Sequence, residues 1–433
     1  MKKSSVISAV AVLSSSAMVL SGLTVQSAAA ASKHSSAPVT IVWAAGTISG
    51  NGLKADLIKH FEKLYPNIKV KIVAEPTNTD TTRAQLISEI TGGATTPDVY
   101  LGDVIWPGQF GSQHLALPLN KYLPKSFFNQ FAPGLVAGAS YKGNVYGSPW
   151  FQDSGFLYYR KDLLAKYHLA VPKTWQQLQK EAKLLVQKKA TKYGFVWEGS
   201  SYEGLTCDWM EYLTDAGGQV FNAQGQPVMN SPAALKALTF MRGLITSGVT
   251  PKAVTTFTEP QAMNVFNDGQ SAFLRNWDYA YTNSQTPGQS KVIGKVGVAP
   301  LPTFAGQGSA GYACIGGWDN YINPHSKHIQ ADLTFIKYMA SVPAETILAT
   351  KASEIPTNYA VQKNPKVRAL NPVLSVVSKQ HLIARPSQSP NYAKVSTAIY
   401  TNINAALAGQ ISPKTALSQA NSQLASAQSS SSL

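Results

Sequence analysis

Cysteine is nearly absent: Cys207 and Cys314 are the only two among 433 residues. That is too few for a disulfide framework or a four-ligand zinc site. A single disulfide stays open for a protein outside the cell, but two buried thiols are the preferred reading, because free cysteine is a common core residue. Charge is scarce as well. Only 14% of residues are charged, against a usual share of about 25%. The missing kind is acidic: 22 Asp and Glu face 37 Lys and Arg, a formal net charge of +15. The basic residues are scattered, and no basic run is interleaved with aromatics, so the excess does not read as a nucleic-acid footprint. Few carboxylates leave few native ion pairs to lose in acid, which predicts stability that stays flat down to about pH 3.

Catalytic signatures are missing too. There is no G-x-S-x-G, H-E-x-x-H, G-x-x-x-x-G-K-[ST] or G-x-G-x-x-G. The seven histidines are isolated; His325 and His328 share a loop and read as solvated surface. A glycosidase needs two carboxylates at a fixed separation. Asp103 and Asp153 can be cast in that role, but spacing in sequence does not establish it. An enzyme is therefore the weaker expectation, and no cofactor or metal is expected.

The N-terminus supplies the one long apolar run. Lys2 and Lys3 precede the mostly apolar stretch from Val6 to Val25, and Ala28-Ala29-Ala30 offers a cleavage site. Residues 1–30 read as a secretory signal peptide. Leu20-Ser21-Gly22 resembles a lipoprotein signal, but Leu23 stands where the lipid-bearing cysteine belongs. An exported protein without a lipobox cysteine, periplasmic or extracellular, is expected. No later stretch approaches the length of a membrane span.

Beyond the leader the pattern is α/β. The run 39-VTIVWAAG-46 reads as a strand, 53-LKADLIKHFEKLYP-66 as a helix with Leu57, Phe61 and Leu64 on one face, and 68-IKVKIVAE-75 as a second strand. Strand, helix, strand in about thirty residues is a βαβ unit with a parallel sheet. A helix at 82–90 and a strand at 98-DVYLGD-103 follow, and Asp103, at a strand's C-terminal end, is placed to face a cleft. Later helices start at Thr174, with Leu178, Ala182 and Leu185 as core, and at Ser231, with Leu235, Leu238 and Met241. Another helix, at 394–408, carries a core stripe of Val395, Ile399, Ile403 and Leu407. The final SQLASAQSSSSL reads as a frayed tail. Length alone favours two domains. No linker separates them, so interleaved domains are expected.

Four segments place aromatics beside polar groups: 150-WFQD-153, 197-WEGSSYEG-204, 276-NWDYAY-281 and 316-GGWDN-320. This mixture suits a sugar. Pyranose C–H faces lie on aromatic rings, and sugar hydroxyls pair with carboxylates, amides or Arg. Each segment alone is equally at home in a core; four of them near strand ends and loops point to a site. In 145-VYGSPWFQDSGFLYYRKDLL-164, Phe156, Leu157 and the tyrosines read as a buried strand, and Asp153 as a residue facing the sugar.

The chain resembles the extracellular solute-binding proteins of ABC sugar importers, in particular the trehalose/maltose-binding branch. The resemblance rests on LIKHFEKLYPNIKV, PDVYLGDVIWPGQF, YKGNVYGSPWFQDSGFLYYRKDLL, GFVWEGSSYEGLTCDWMEYL, FNDGQSAFLRNWDYAY, KVGVAPLP, GGWDN and NAALAGQISPKTAL. It implies a two-lobed periplasmic-binding-protein fold of type II, maltose-binding-like, with interleaved α/β lobes joined by a multi-strand hinge. Residues 38–150 and 317–360 would form the N-terminal lobe, 153–312 and 372–427 the C-terminal lobe, and 428–433 a flexible tail. The chain would cross between lobes at Pro149 to Ser154 and near Ala313 to Gly317.

The resemblance also assigns roles. Asp103 is a first-lobe carboxylate for sugar hydroxyls, and Asp153 the hinge carboxylate. Trp277 and Tyr279 are a stacking platform and a hydroxyl donor. Gly317 and Trp318 are a backbone contact and a second ring, and Arg385 is a cationic donor. Thr77 and Arg83 form a polar first-lobe pair. Asp103 could instead cap a helix, and Arg385 could pair with a carboxylate. Two departures stand out. A family Glu has no counterpart in 45-AGTISGNG-52, and a family Tyr is Phe151, whose ring would be kept for stacking without the hydroxyl. Tyr202 and Glu203 are further candidates, with core packing as their alternative. The implied partners are a disaccharide or short oligosaccharide and a membrane permease, with the receptor a monomer.

Overall fold

A computed structural model describes residues 38–46, 52–387 and 389–429. The expected signal peptide and residues 430–433 lie outside them.

The first βαβ unit forms as its periodicity predicts. The strands Val39–Ala45 and Ile68–Ala74 pair in parallel, from Val39 opposite Ile68 to Ala45 opposite Ala74, and the helix Leu53–Leu64 joins them. Leu57 and Phe61 are buried on that helix, while Leu64, on its last turn, is exposed. The next helix, Thr79–Thr91, starts three residues earlier than the apolar spacing suggests. Asn78 caps it, its Oδ1 accepting from the Asp80 and Thr81 amides at 3.0 and 3.1 Å.

Two main sheets divide the molecule into lobes. The first runs in the order Ile355–Pro356, Ser148–Ser154, Tyr312–Ile322, Val99–Asp103, Val39–Ala45, Ile68–Ala74, with His381–Ile383 added beside the start of the long strand. Trp43, Phe61, Trp150 and Phe335 pack one of its cores; Trp43 meets Trp150 edge-on at 5.6 Å between centroids. The second runs Val296–Ala299, Phe156–Arg160, Ser271–Asn276, Tyr193–Val196. Phe156 and Leu157 are fully buried in it, as the sequence suggests.

The chain leaves the first sheet at Ser154 and enters the second at Phe156. Only Gly155 lies between. A Cβ there would meet Arg275 Nη2 at 2.7 Å and the Glu211 carboxylate closer still, so the crossing needs glycine.

Helices cover the second sheet. Thr174 and Ser231 cap Trp175–Gln187 and Pro232–Thr246, and Leu178, Ala182, Leu185, Leu238 and Met241 are buried as expected. Leu235 is exposed instead. Val395, Ile399, Ile403 and Leu407 are all buried on Tyr392–Ala408. The C-terminal reading is corrected: a helix runs from Pro413 to Ser429. Leu417, Ala420, Leu424 and Ala427, at helical spacing, are buried and hold Ser422 to Ser429 against the preceding helix. Cys207 and Cys314 are buried free thiols. Among the described residues no helix is long and apolar enough to cross a membrane.

Candidate functional site

Strand ends and turns from both sheets converge on a cavity of about 340 Å³, within the range of small-molecule sites. Asp103 enters it from the end of Val99–Asp103, and Asp153 from Ser148–Ser154. Trp277 and Tyr279 come from the turn after Ser271–Asn276, and Gly316, Gly317 and Trp318 from the long strand. Glu203 lines it from the first turn of the helix Glu203–Asp215, Arg385 from the loop after His381–Ile383, and Thr77 from the loop before Thr79–Thr91.

Local geometry explains the two glycines. Gly317 has φ 133°, and a Cβ there would sit 2.5 Å from the Phe151 carbonyl oxygen. At Gly316 a Cβ would sit 2.8 Å from Trp277 Cζ3. The bare strand thus lets the Trp277 ring lie against the hinge backbone.

Trp277 is also held across one face of its ring. Arg275 Cζ stands 4.2 Å from its ring centroid, a cation–π contact. The guanidinium is buried among Glu198, Asp208 and Glu211, with closest contacts of 2.5, 2.8 and 2.5 Å. Glu211 Oε1 also accepts from the Cys314 amide at 3.0 Å, which links this cluster to the long strand. Tyr158 donates to the Trp277 carbonyl at 2.7 Å and fixes the turn from below.

A second ion cluster closes the other side. Arg385 Nη2 meets Asp103 Oδ1 at 2.8 Å, and its Nη1 meets Glu203 Oε1 at 3.0 Å. Tyr392 donates to the same Glu203 oxygen at 2.7 Å. Burial raises the Glu203 pKa to about 7 despite the attraction of Arg385. The Glu203 amide donates to Asp80 Oδ2 at 3.1 Å, so the helices Glu203–Asp215 and Thr79–Thr91 touch here. Asp103 and Arg385 are therefore partners of each other, the carboxylate pairing that the sequence left open for Arg385, and Asp103 Oδ1 also accepts from the Ile105 amide.

Three expected site residues lie elsewhere. Phe151 is buried in the first-lobe core, edge-on to Trp150 at 5.1 Å, and does not line the cavity. The reason is a bulge: pairing with the long strand runs Trp318 to Phe151 and then Asp319 to Pro149, leaving Trp150 as the extra residue. Strict alternation fails there, so Trp150 and Phe151 enter the same core. Arg83 pairs with Asp80 at 3.0 Å and donates to Gln109. Tyr202 is buried, its hydroxyl on Glu198, just before the helix that carries Glu203. Neither lines the cavity. Cys207, Glu259, Met263 and Asn283 do, although sequence reasoning missed them. Glu259 and Met263 share one short helix and Cys207 follows Glu203 by one turn; only the neighbouring motifs marked those regions.

Comparison with known proteins agrees with this architecture. Residues 44–346 match the family model described as bacterial extracellular solute-binding protein. A probable ABC transporter-binding protein of Deinococcus radiodurans is 36% identical over 419 residues, covering 93% of this chain and 96% of that protein. A mannitol-binding protein of Pseudomonas aeruginosa is 25% identical over 392 residues, covering 85% and 88%. Among solved structures, maltose-bound T. maritima MalE3 superposes with a TM-score of 0.85 at 35% identity, covering 89% of this chain and 99% of that one. A solute-binding protein of Thermotoga lettingae bound to α-D-tagatose gives 0.81 at 24% identity, a likeness of fold. With the match spanning most of the chain and the two-lobed architecture in place, this protein belongs to the bacterial extracellular solute-binding protein family.

Proposed function

We propose that the chain is a non-catalytic receptor that captures an α-linked disaccharide or short oligosaccharide of the trehalose/maltose type and delivers it to an ABC importer. The observation that carries this reading is the lining of the cavity. Two indole rings, Trp277 and Trp318, share it with Asp103, Asp153, Glu203 and Arg385. Rings offer faces for pyranose C–H groups, and the carboxyl and guanidinium groups offer hydrogen-bond partners for hydroxyls. The likeness to a maltose-bound protein supports the same class of ligand.

In this reading residues 38–150 and 317–360 act as one lobe and 153–312 and 372–427 as the other. Ligand bridging Asp103 and Trp318 on one side and Trp277 and Tyr279 on the other favours the closed form, because only that form supplies both sets of contacts. The mature protein acts as a monomer outside the cytoplasm, and a membrane permease recognises the closed state.

Calorimetric titration of the purified protein with maltose and trehalose, with the sugar recovered afterwards, tests the reading. Saturable binding with intact sugar is expected. Release of monosaccharide would make the protein a glycoside hydrolase instead.

A further inference from the structure

Asp153, Asp278 and Glu354 place carboxylate oxygens within 4.8 Å of one another, and all three residues are buried. They arrive from three directions: the strand Ser148–Ser154, the turn after Ser271–Asn276, and the residue before Ile355–Pro356. Backbone amides tie them together. The Asp278 amide donates to Asp153 Oδ1 at 3.1 Å, and the Ile355 amide donates to Asp278 Oδ2 at 2.8 Å.

Asp153 and Asp278 sit among groups that do not pair with them as ions. Tyr158, from Phe156–Arg160, donates to the Trp277 and Asp278 carbonyls. Tyr279 is buried on the same turn as Asp278. Lys54, from Leu53–Leu64, feels Glu354, but its Nζ donates to the Ala45 carbonyl, and burial lowers its pKa to about 8. Arg275 meets Glu198, Asp208 and Glu211. Among the described residues no cation forms an ion pair with Asp153 or Asp278. Carboxylates this close and out of water repel strongly, and such groups share protons rather than ionise together.

We propose that Asp278 and Glu354 keep a proton on Asp153, so that Asp153 meets the sugar as a neutral carboxylic acid that donates a hydrogen bond to a sugar oxygen. The inference rests on the sugar-binding reading of the cavity. It makes Asp278 and Glu354 positioning residues, acting on the ligand through Asp153. Burial and the neighbouring Asp278 hold Asp153 well above the ordinary carboxylate range, and burial with Glu354 does the same for Asp278.

The test pairs two measurements on the full mature chain. Carbon-13 NMR of the side-chain carboxyls reads Asp153 directly. Its signal stays at the protonated position at about pH 7; a signal already at the ionised position near pH 5, above the usual carboxylate range, overturns the proposal. Titration with maltose and trehalose across the same pH range gives the second measurement. Affinity holds from acid to neutral pH and falls about tenfold per unit once the proton is lost. Replacing both partners, Asp278→Asn with Glu354→Gln, moves that fall to lower pH, and Asp153→Asn, which keeps a donor but cannot titrate, abolishes the fall while binding more weakly than the parent. Affinity that collapses on acidification, with Asp153→Asn losing more than about a hundredfold, overturns the proposal. If the parent protein binds no saccharide at any pH, the sugar reading fails, and the NMR signal still decides the state of Asp153.

Discussion

At the scale of single residues, the site separates groups that face the cavity from groups that merely resemble them in sequence. Trp277 offers its ring to the cavity while Arg275 and the Gly316 backbone hold it from behind. Trp277→Ala should weaken sugar binding by about 2–4 kcal/mol, or roughly 30- to 1000-fold, as read by calorimetry with the melting temperature as a folding control. Phe151 behaves in the opposite way. It is 1% exposed in the core, so Phe151→Tyr, which restores the hydroxyl of the related sequences, should leave sugar affinity unchanged and lower stability. A new hydroxyl in a packed core costs about 1–3 kcal/mol, which urea unfolding would detect. A change in sugar preference would contradict this placement.

At the scale of elements, buried ion clusters fasten strands and helices that lie far apart in sequence. Arg275, 1% exposed, ties the strand Ser271–Asn276 to Glu198, Asp208 and Glu211, and Glu211 reaches the long strand through Cys314. Arg275→Met leaves these carboxylates without their cation and should cost about 3–5 kcal/mol, measured by denaturant unfolding, with weaker sugar binding through the released Trp277. These clusters also mark the limit of what the sequence discloses. Strands, helix caps and the strand-end position of Asp103 were legible, because alternation, 3.6-residue spacing and Thr or Ser caps are local signals. Nine of the twelve residues expected at the site line one cavity, a grouping that came from the resemblance more than from local spacing. Phe151 was misread because a bulge at Trp150 breaks alternation. Arg275 was overlooked because its partners, on another strand's end and on one helix, come together only in the fold. The triad of Asp153, Asp278 and Glu354 was hidden for the same reason.

At the scale of the whole molecule, a chain poor in acids buries many of those it has. Burial raises Glu203, Asp215 and Asp332 to about 7 and Glu75, Glu198 and Asp319 to about 8. In the unfolded chain such groups titrate near 4. Between about pH 4 and 8 the folded state therefore binds more protons than the unfolded state, so stability falls as pH rises through that window. Glu62 and Asp162, held below their ordinary values at the surface, act in the opposite sense but are few. The flat profile expected from the low acid content is therefore replaced: calorimetric melting should peak near about pH 4–5 and decline toward pH 8; a melting temperature that climbs over that range would contradict the burial of these groups.

In the proposed function two lobes close on a sugar. Its most direct test is thermal denaturation across a saccharide panel including maltose, trehalose, sucrose and maltodextrins, because a ligand bound only by the folded state raises the melting point with its concentration. A saturable rise is predicted with at least one α-linked disaccharide or short oligosaccharide, moved to much higher sugar concentration in Trp277→Ala. No shift with any saccharide, from protein shown to be folded, would contradict it.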